Sequence, residues 1–161
     1  MAVFTLGGRE VVAELLLGQP FFLGLGHGDP NWDTAPEPPS SMATDLLDKF
    51  GLTRMRRFIY VVPNPDGEIQ MADSSKFAAS EAPSRYLYLS FKLDPADAKG
   101  ELIREAGLYW GTIFVVGTPT GQMYVEKPAV ASWGKLIHLD RFNSIDRDGL
   151  IEQTFSFVLT L

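Results

Sequence analysis

Apolar positions along this chain recur mainly with a period of two, in short runs punctuated by glycine and proline. Ser84 to Leu93 shows the alternation most clearly: Leu87, Leu89, Phe91 and Leu93 fall on one face, and Tyr86, Tyr88, Ser90 and Lys92 on the other. Phe155, Phe157, Leu159 and Leu161 repeat the pattern at the C-terminus, which predicts a strand tied into a sheet and a chain that ends there complete. Phe21 to Gly26 is apolar throughout and reads as a buried strand, and Phe58 to Val62 as another. Leu102 to Val116 is apolar with Gly107 and Gly111 inside it, and Thr118-Pro119-Thr120-Gly121 reads as a hairpin turn.

Helical spacing appears twice. Between Arg9 and Leu17, Val12, Leu15 and Leu16 share a face, Glu10 and Glu14 lie one turn apart, and Gly18 and Pro20 supply the stop. Ser40 or Ser41 can cap a second helix over Met42 to Phe50, ended by Gly51. Between these elements, His27 to Asp33 and then Pro36, Pro38 and Pro39 form a loop on turn chemistry alone. The expected fold is α+β and mainly β. It is a β-sandwich-like single domain over 1–161, with two short helices, long Pro/Gly-rich loops, an N-terminal helical arm (1–20) and a β-rich body (21–161).

Composition removes functions before it proposes any. Of the 161 residues, 45% are hydrophobic and 21% charged, as in a soluble globular fold. The net charge of −6 disfavours general nucleic-acid binding, since phosphate backbones are repelled. With no cysteine there is no disulfide framework, thiolate metal site or cysteine nucleophile, which suits synthesis in a reducing cytoplasm. The first apolar stretch is too short and too charged to span a bilayer.

Candidate chemistry is sparse. His27, Asp29 and Asp33 on the Gly-rich loop could ligate an ion or act as acid and base, but Asp29-Pro30 and Asp33-Thr34 are ordinary turn-formers and no second histidine is near. Gly24-x-Gly26-x-Gly28 lacks the dinucleotide fingerprint, because Asp29 stands where its last glycine belongs. Gly134-Lys135 lacks the rest of a P-loop, and Asp94 and Asp97 around Pro95 read as a solvated turn. No catalytic, cofactor-binding or metal site is expected.

The chain is richer in contact chemistry. Arg54, Arg56 and Arg57 form its only dense basic patch, and arginine with aromatic neighbours is enriched at protein–protein contacts. Trp32 and Trp133 sit among Gly, Pro and Ser, where a large aromatic is either a lid over the core or a contact surface; contact is the reading taken for Trp32. The segment from Asp29 to Ser40, stiffened by Pro36, Pro38 and Pro39, has the build of an arm that lies on a neighbour at little entropic cost.

Two stretches together carry a family resemblance. Leu102-Ile103-Arg104-Glu105-Ala106-Gly107-Leu108-Tyr109 resembles the "REIGLY/F" signature of bacteriophage tail-collar fibre and baseplate proteins, with Ala106 in place of the usual Ile. Glu152 to Thr160 is similar to their closing amphipathic strand, and the run from Phe22 through Trp32 and the prolines to Tyr60-Val61-Val62-Pro63 looks like a baseplate wedge pattern. The resemblance implies a structural virion protein of a contractile tail, a wedge or fibre-adaptor subunit with no catalytic residues, in a multi-copy assembly with other baseplate or tail-fibre proteins. A small carbohydrate-binding β-sandwich using Trp32 and Trp133 is the alternative.

Overall fold

Strand formation here follows the two-residue alternation, and the helix follows a cap that the pattern alone underestimates. The computed structural model describes all 161 residues. Helix α1 spans Leu6–Leu17; the Thr5 hydroxyl caps it by accepting from the Gly8 N–H at 3.2 Å, and Gly18 ends it. The periodicity places its start at Arg9; the true start is one turn earlier, because Gly7 and Gly8 carry no apolar signal. A Cβ at Gly8 would lie 2.7 Å from the Phe4 ring, so that glycine is what lets Phe4 fold back over the helix, where Arg9 stacks on it.

Strand β1 (Phe21–Gly26) and a 3-10 turn (Pro30–Asp33) follow, then the 15-residue β2 (Lys49–Pro63), β3 (Ile69–Gln70), β4 (Lys76–Ala79) and β5 (Tyr86–Leu93). The remainder is β6 (Leu102–Trp110), β7 (Ile113–Phe114), β8 (Tyr124–Glu126), a second 3-10 turn (Lys127–Ala129), β9 (Val130–Ser132), β10 (Lys135–Asp146) and β11 (Gln153–Thr160). The protein is therefore mainly β with one α-helix. No helix is long and apolar enough to cross a membrane.

The chain divides into two compact units. One comprises Met1–Gln19, Arg56–Phe91 and Phe155–Leu161; the other comprises Pro20–Met55 and Lys92–Thr154. In the first, the second half of β2 lies between β4 and β5, with β3 beyond β4 and β11 beyond β5. Val61, Ile69 and Phe77 form a core cluster there, with Ile59, Met71, Tyr86, Tyr88 and Val158 packed against it. Leu87, Leu89 and Phe91 are fully buried, on the face the alternation assigns to the core. The Ser84 hydroxyl, donating to the Val61 carbonyl at 2.6 Å, ties the start of β5 to β2.

The second unit is an antiparallel ladder in the order β10, β6, β1, first half of β2, with β8 on the other side of β2. β1 and the interior of β6 are buried at every position, so both faces of these strands are covered. Gly24 lies opposite Gly107 in the β1–β6 register. A Cβ at Gly24 would stand 2.6 Å from the Tyr109 ring, and one at Gly107 2.5 Å from Leu136. Glycine at both positions lets side chains lie flat on the ladder.

Two expectations fail. Residues 42–48 contain no second helix: the chain is irregular there and enters β2 at Lys49. Its backbone N–H groups at Leu46 and Leu47 are taken by Tyr109 and Glu105 of β6, and a helix could not offer them. Thr118 to Gly121 does turn, but it closes no hairpin, because β7 pairs with β9 and β8 pairs with β2.

A buried hydroxyl of this ladder stands without a partner. Thr53 is fully buried in β2 and its Oγ1 makes no hydrogen bond. Replacing the hydroxyl by a methyl of the same shape removes that cost, so Thr53→Val is expected to raise unfolding stability by about 1 kcal/mol. A shift of the urea midpoint to higher concentration at unchanged slope checks this; an unchanged or lower midpoint refutes it.

Candidate functional site

An arginine and a glutamate in the middle of an apolar strand must find partners or cost several kcal/mol each. Arg104 and Glu105 stand side by side in β6; Glu105 is 0% exposed. The Arg104 guanidinium grips Asp33 with two bonds, Nε to Oδ1 at 2.9 Å and Nη2 to Oδ2 at 3.0 Å, and its Nη1 donates to the His27 carbonyl at 3.0 Å. Asp33 Oδ1 also accepts from the Ser144 N–H at 3.1 Å. The hydrogen bonds from Arg104 hold the Asp33 carboxyl down at about 2.

Glu105 works the other way. Its carboxylate accepts from the Leu47 N–H and from Arg141 Nε, the latter at 3.1 Å. The Arg141 guanidinium lies 4.5 Å from the centre of the Trp32 ring and donates to the Glu37 carbonyl at 3.5 Å. Four residues on from Glu105, the Tyr109 hydroxyl donates to Asp45 at 2.6 Å and accepts from the Leu46 N–H at 3.3 Å. Burial, then the bond to Asp45, pushes the Tyr109 phenol well above its ordinary value. One strand segment, Arg104 to Tyr109, thus clamps both ends of the loop between β1 and β2.

The residues singled out from the sequence fall into different settings. Trp32 is 5% exposed. It is the lid, and the contact-surface reading loses its exposed ring. Gly28, at φ +63, lies against that ring: a Cβ on it would be 2.4 Å from the ring and 2.9 Å from the Arg104 Cβ. Pro36, Pro38 and Pro39 are exposed. With Ser40, Ser41 and Ala43, Pro39 lines a groove of about 330 Å³ along Leu136 to Leu139, which holds one titratable side chain, His138, lowered by burial.

Arg54 stacks on Phe22 and Phe114, 5.5 Å and 4.7 Å from the ring centres, and its Nε donates to the Gln122 carbonyl at 2.7 Å. Arg56 and Arg57 are exposed, and Arg57 lies over Tyr88. Trp133 is half-buried, edge-on to Tyr109, with the Lys49 ammonium 4.6 Å above it. Arg54 and Arg57 thus lie over different rings.

His27 makes the remaining ionic contact of note. Its Nδ1 lies 2.8 Å from Asp48, its Nε2 bonds to Glu101, and its ring stacks on Phe50. A neutral imidazole carries one N–H, so two carboxylate partners require the imidazolium. Burial works against that charge, but the bonds to Glu101 and Asp48 outweigh it and raise the His27 pKa. Asp29, its expected companion, instead caps the 3-10 turn by accepting from the Asn31 N–H. No group of three or more His, Asp or Glu is placed to hold a metal ion. Arg141, Asp45 and Glu101 escaped notice in the sequence; the one available signal was the Arg104-Glu105 pair, which demanded partners from somewhere.

The ladder and its clamp define a class: a β-rich module whose ionisable side chains close on one another and on loop backbone instead of converging on a cavity. The sequence matches, over residues 1–161, the family described as baseplate wedge 3 tail fiber network component, and the chain belongs to that family. This agrees with the resemblance carried by Arg104 to Tyr109. No curated protein matches the sequence.

Two measurements test the clamp. Arg104→Ala is expected to cost about 2–3 kcal/mol, below the range for a fully buried pair because Asp33 is partly exposed. It should also red-shift tryptophan emission as Trp32 meets water; unchanged emission at lower stability would mean the lid is held by something else. For His27, whose folded pKa is raised, the stabilisation is complete below the unfolded value of 6.5 and is lost as pH rises through the folded value. Stability should therefore fall as pH rises above 6.5 in the native chain, and His27→Gln should flatten that fall.

Proposed function

We propose that this chain is a structural subunit of the phage tail baseplate wedge, working through protein–protein contacts and not through catalysis, either as a wedge piece or as an adaptor for fibres. Family membership over the whole chain is the observation that carries the reading. The internal use of ionisable groups supports it: Arg104, Glu105, Asp33, Arg141 and Asp45 are all committed to holding the β1–β2 loop. The exposed Pro36, Pro38 and Pro39, with Arg56, Arg57 and the half-buried Trp133, remain as contact positions toward other baseplate or tail-fibre proteins. A subunit of this kind is made in the host cytoplasm and ends in the virion tail.

The carbohydrate-binding alternative has less to stand on. Sugar platforms are exposed aromatic faces, whereas Trp32 is buried under Arg141 and Trp133 is covered on one side by Lys49. Mass spectrometry of purified phage particles is expected to find this chain, and its disruption should leave tails with incomplete baseplates in electron micrographs. Complete particles lacking the chain would refute the assignment.

A further inference from the structure

Large apolar side chains that a fold holds rigidly in solvent call for an explanation. Leu150 and Ile151 are 79% and 62% exposed, on the loop between β10 and β11. The loop is built with care. Arg147, 1% exposed, donates to the carbonyls of Asp94 at 2.8 Å, Ile151 at 3.0 Å and Asp97 at 3.3 Å. Asp148 Oδ1 accepts from the Leu150 N–H at 2.8 Å, and Gly149 takes φ +84 to make the turn. A buried guanidinium thus stiffens a loop whose tip offers two apolar side chains beside the exposed carboxylates of Asp146 and Asp148.

A surface of opposite character lies on strands β2 and β5. Arg57 sits 5.9 Å over the Tyr88 ring and Arg85 5.2 Å over the Tyr86 ring. Arg57 is exposed and Arg85 half-buried; the Arg85 Nε is itself buried without an acceptor, so the terminal amino groups of that guanidinium are the ones a docking loop would meet. Ile59 and Met71, partly buried against Val61, Ile69 and Phe77, supply apolar surroundings. An arginine carried over a tyrosine ring can still offer its terminal N–H groups to a carboxylate. Arginine and tyrosine on an apolar base are also the residues that dominate binding energy at interfaces.

Charge indicates where the acidic partner comes from. The unit holding the Arg–Tyr face has five Lys/Arg against six Asp/Glu, while the unit holding the Leu150 loop has nine against fourteen, so −5 of the net −6 belongs to the latter. We propose that the Asp148–Ile151 loop of one copy docks on the Arg57–Tyr88 and Arg85–Tyr86 face of a second copy. The contact is heterologous: each chain has one loop and one face, and repetition links copies head to tail. It rests on the assembly role given above and names one partner for it.

Sedimentation of the full chain over a range of concentrations tests this. Self-association is expected at low ionic strength and should weaken in about 0.5 M salt, where screening shortens the reach of the charges to a few ångströms. Arg57→Ala with Arg85→Ala, or Leu150→Asp with Ile151→Asp, should each weaken association about tenfold or more, with far-UV circular dichroism and melting unchanged. Mixing the two double variants should restore association but stop at dimers, since each brings one intact half. A chain that is monomeric at low salt, variants that associate as well as the native chain, or a mixture that fails to pair would each overturn the contact. A monomeric chain that is nonetheless found in phage particles would sink this contact and leave the baseplate role intact.

Discussion

Two opposite charges buried next to each other on one strand dictate how the unit of Pro20–Met55 and Lys92–Thr154 is put together. Arg104 and Glu105 occupy a strand covered on both faces, where Glu105 is sealed from water and Arg104 nearly so. Each must then draw in partners from other parts of the chain, because an unpaired charge in such a place costs more than most single contacts return. Arg104 draws in Asp33 and the carbonyl of His27; Glu105 draws in Arg141 and the N–H of Leu47. The path from β1 to β2 follows from those demands. Residues 27–33 are held by the first charge and residues 45–47 by the second and by Tyr109, which leaves the prolines between them as a strap with its ends fixed.

The glycines of this ladder serve the same arrangement. Gly24 and Gly107 face each other across β1 and β6, and only the absence of a side chain lets Tyr109 and Leu136 lie close over them. Tyr109 in that position reaches Asp45 and Leu46; raised a few ångströms by a methyl beneath it, the hydroxyl would miss both. The segment Arg104-Glu105-Ala106-Gly107-Leu108-Tyr109 is therefore a packing and clamping device in which the positions act differently. Its two charges tie loops, its glycine makes room, its leucine fills the core, and its phenol finishes the second tie.

Much of the β architecture was legible from the residues. The alternation over Ser84 to Leu93 assigned the buried face of β5 correctly, and the unbroken apolar run at Phe21 to Gly26 signalled a strand covered on both sides. Gly18 marked the end of the helix. Errors arose where local signals competed with distant partners. A capped helix over Met42 to Phe50 is locally reasonable, yet Glu105 and Tyr109, some 60 residues away, claim the N–H groups of Leu47 and Leu46. Trp32 looked like a contact residue because its neighbours are loop-formers, and nothing local announces Arg141 lying over its ring.

Residue order settles whatever depends on neighbours within a few positions: which runs alternate as strands, which face of each is apolar, and where turns fall. Folding in three dimensions settled that Arg104 and Glu105 are buried in β6 and which groups answer their charges, which tryptophan is covered, and that Arg54 and Arg57 lie over different rings despite standing close in sequence. The reason is physical. A strand period is a local steric property, whereas Arg104 meets Asp33 across 71 residues and Glu105 meets Leu47 across 58, and such pairs exist only after the ladder register has placed them.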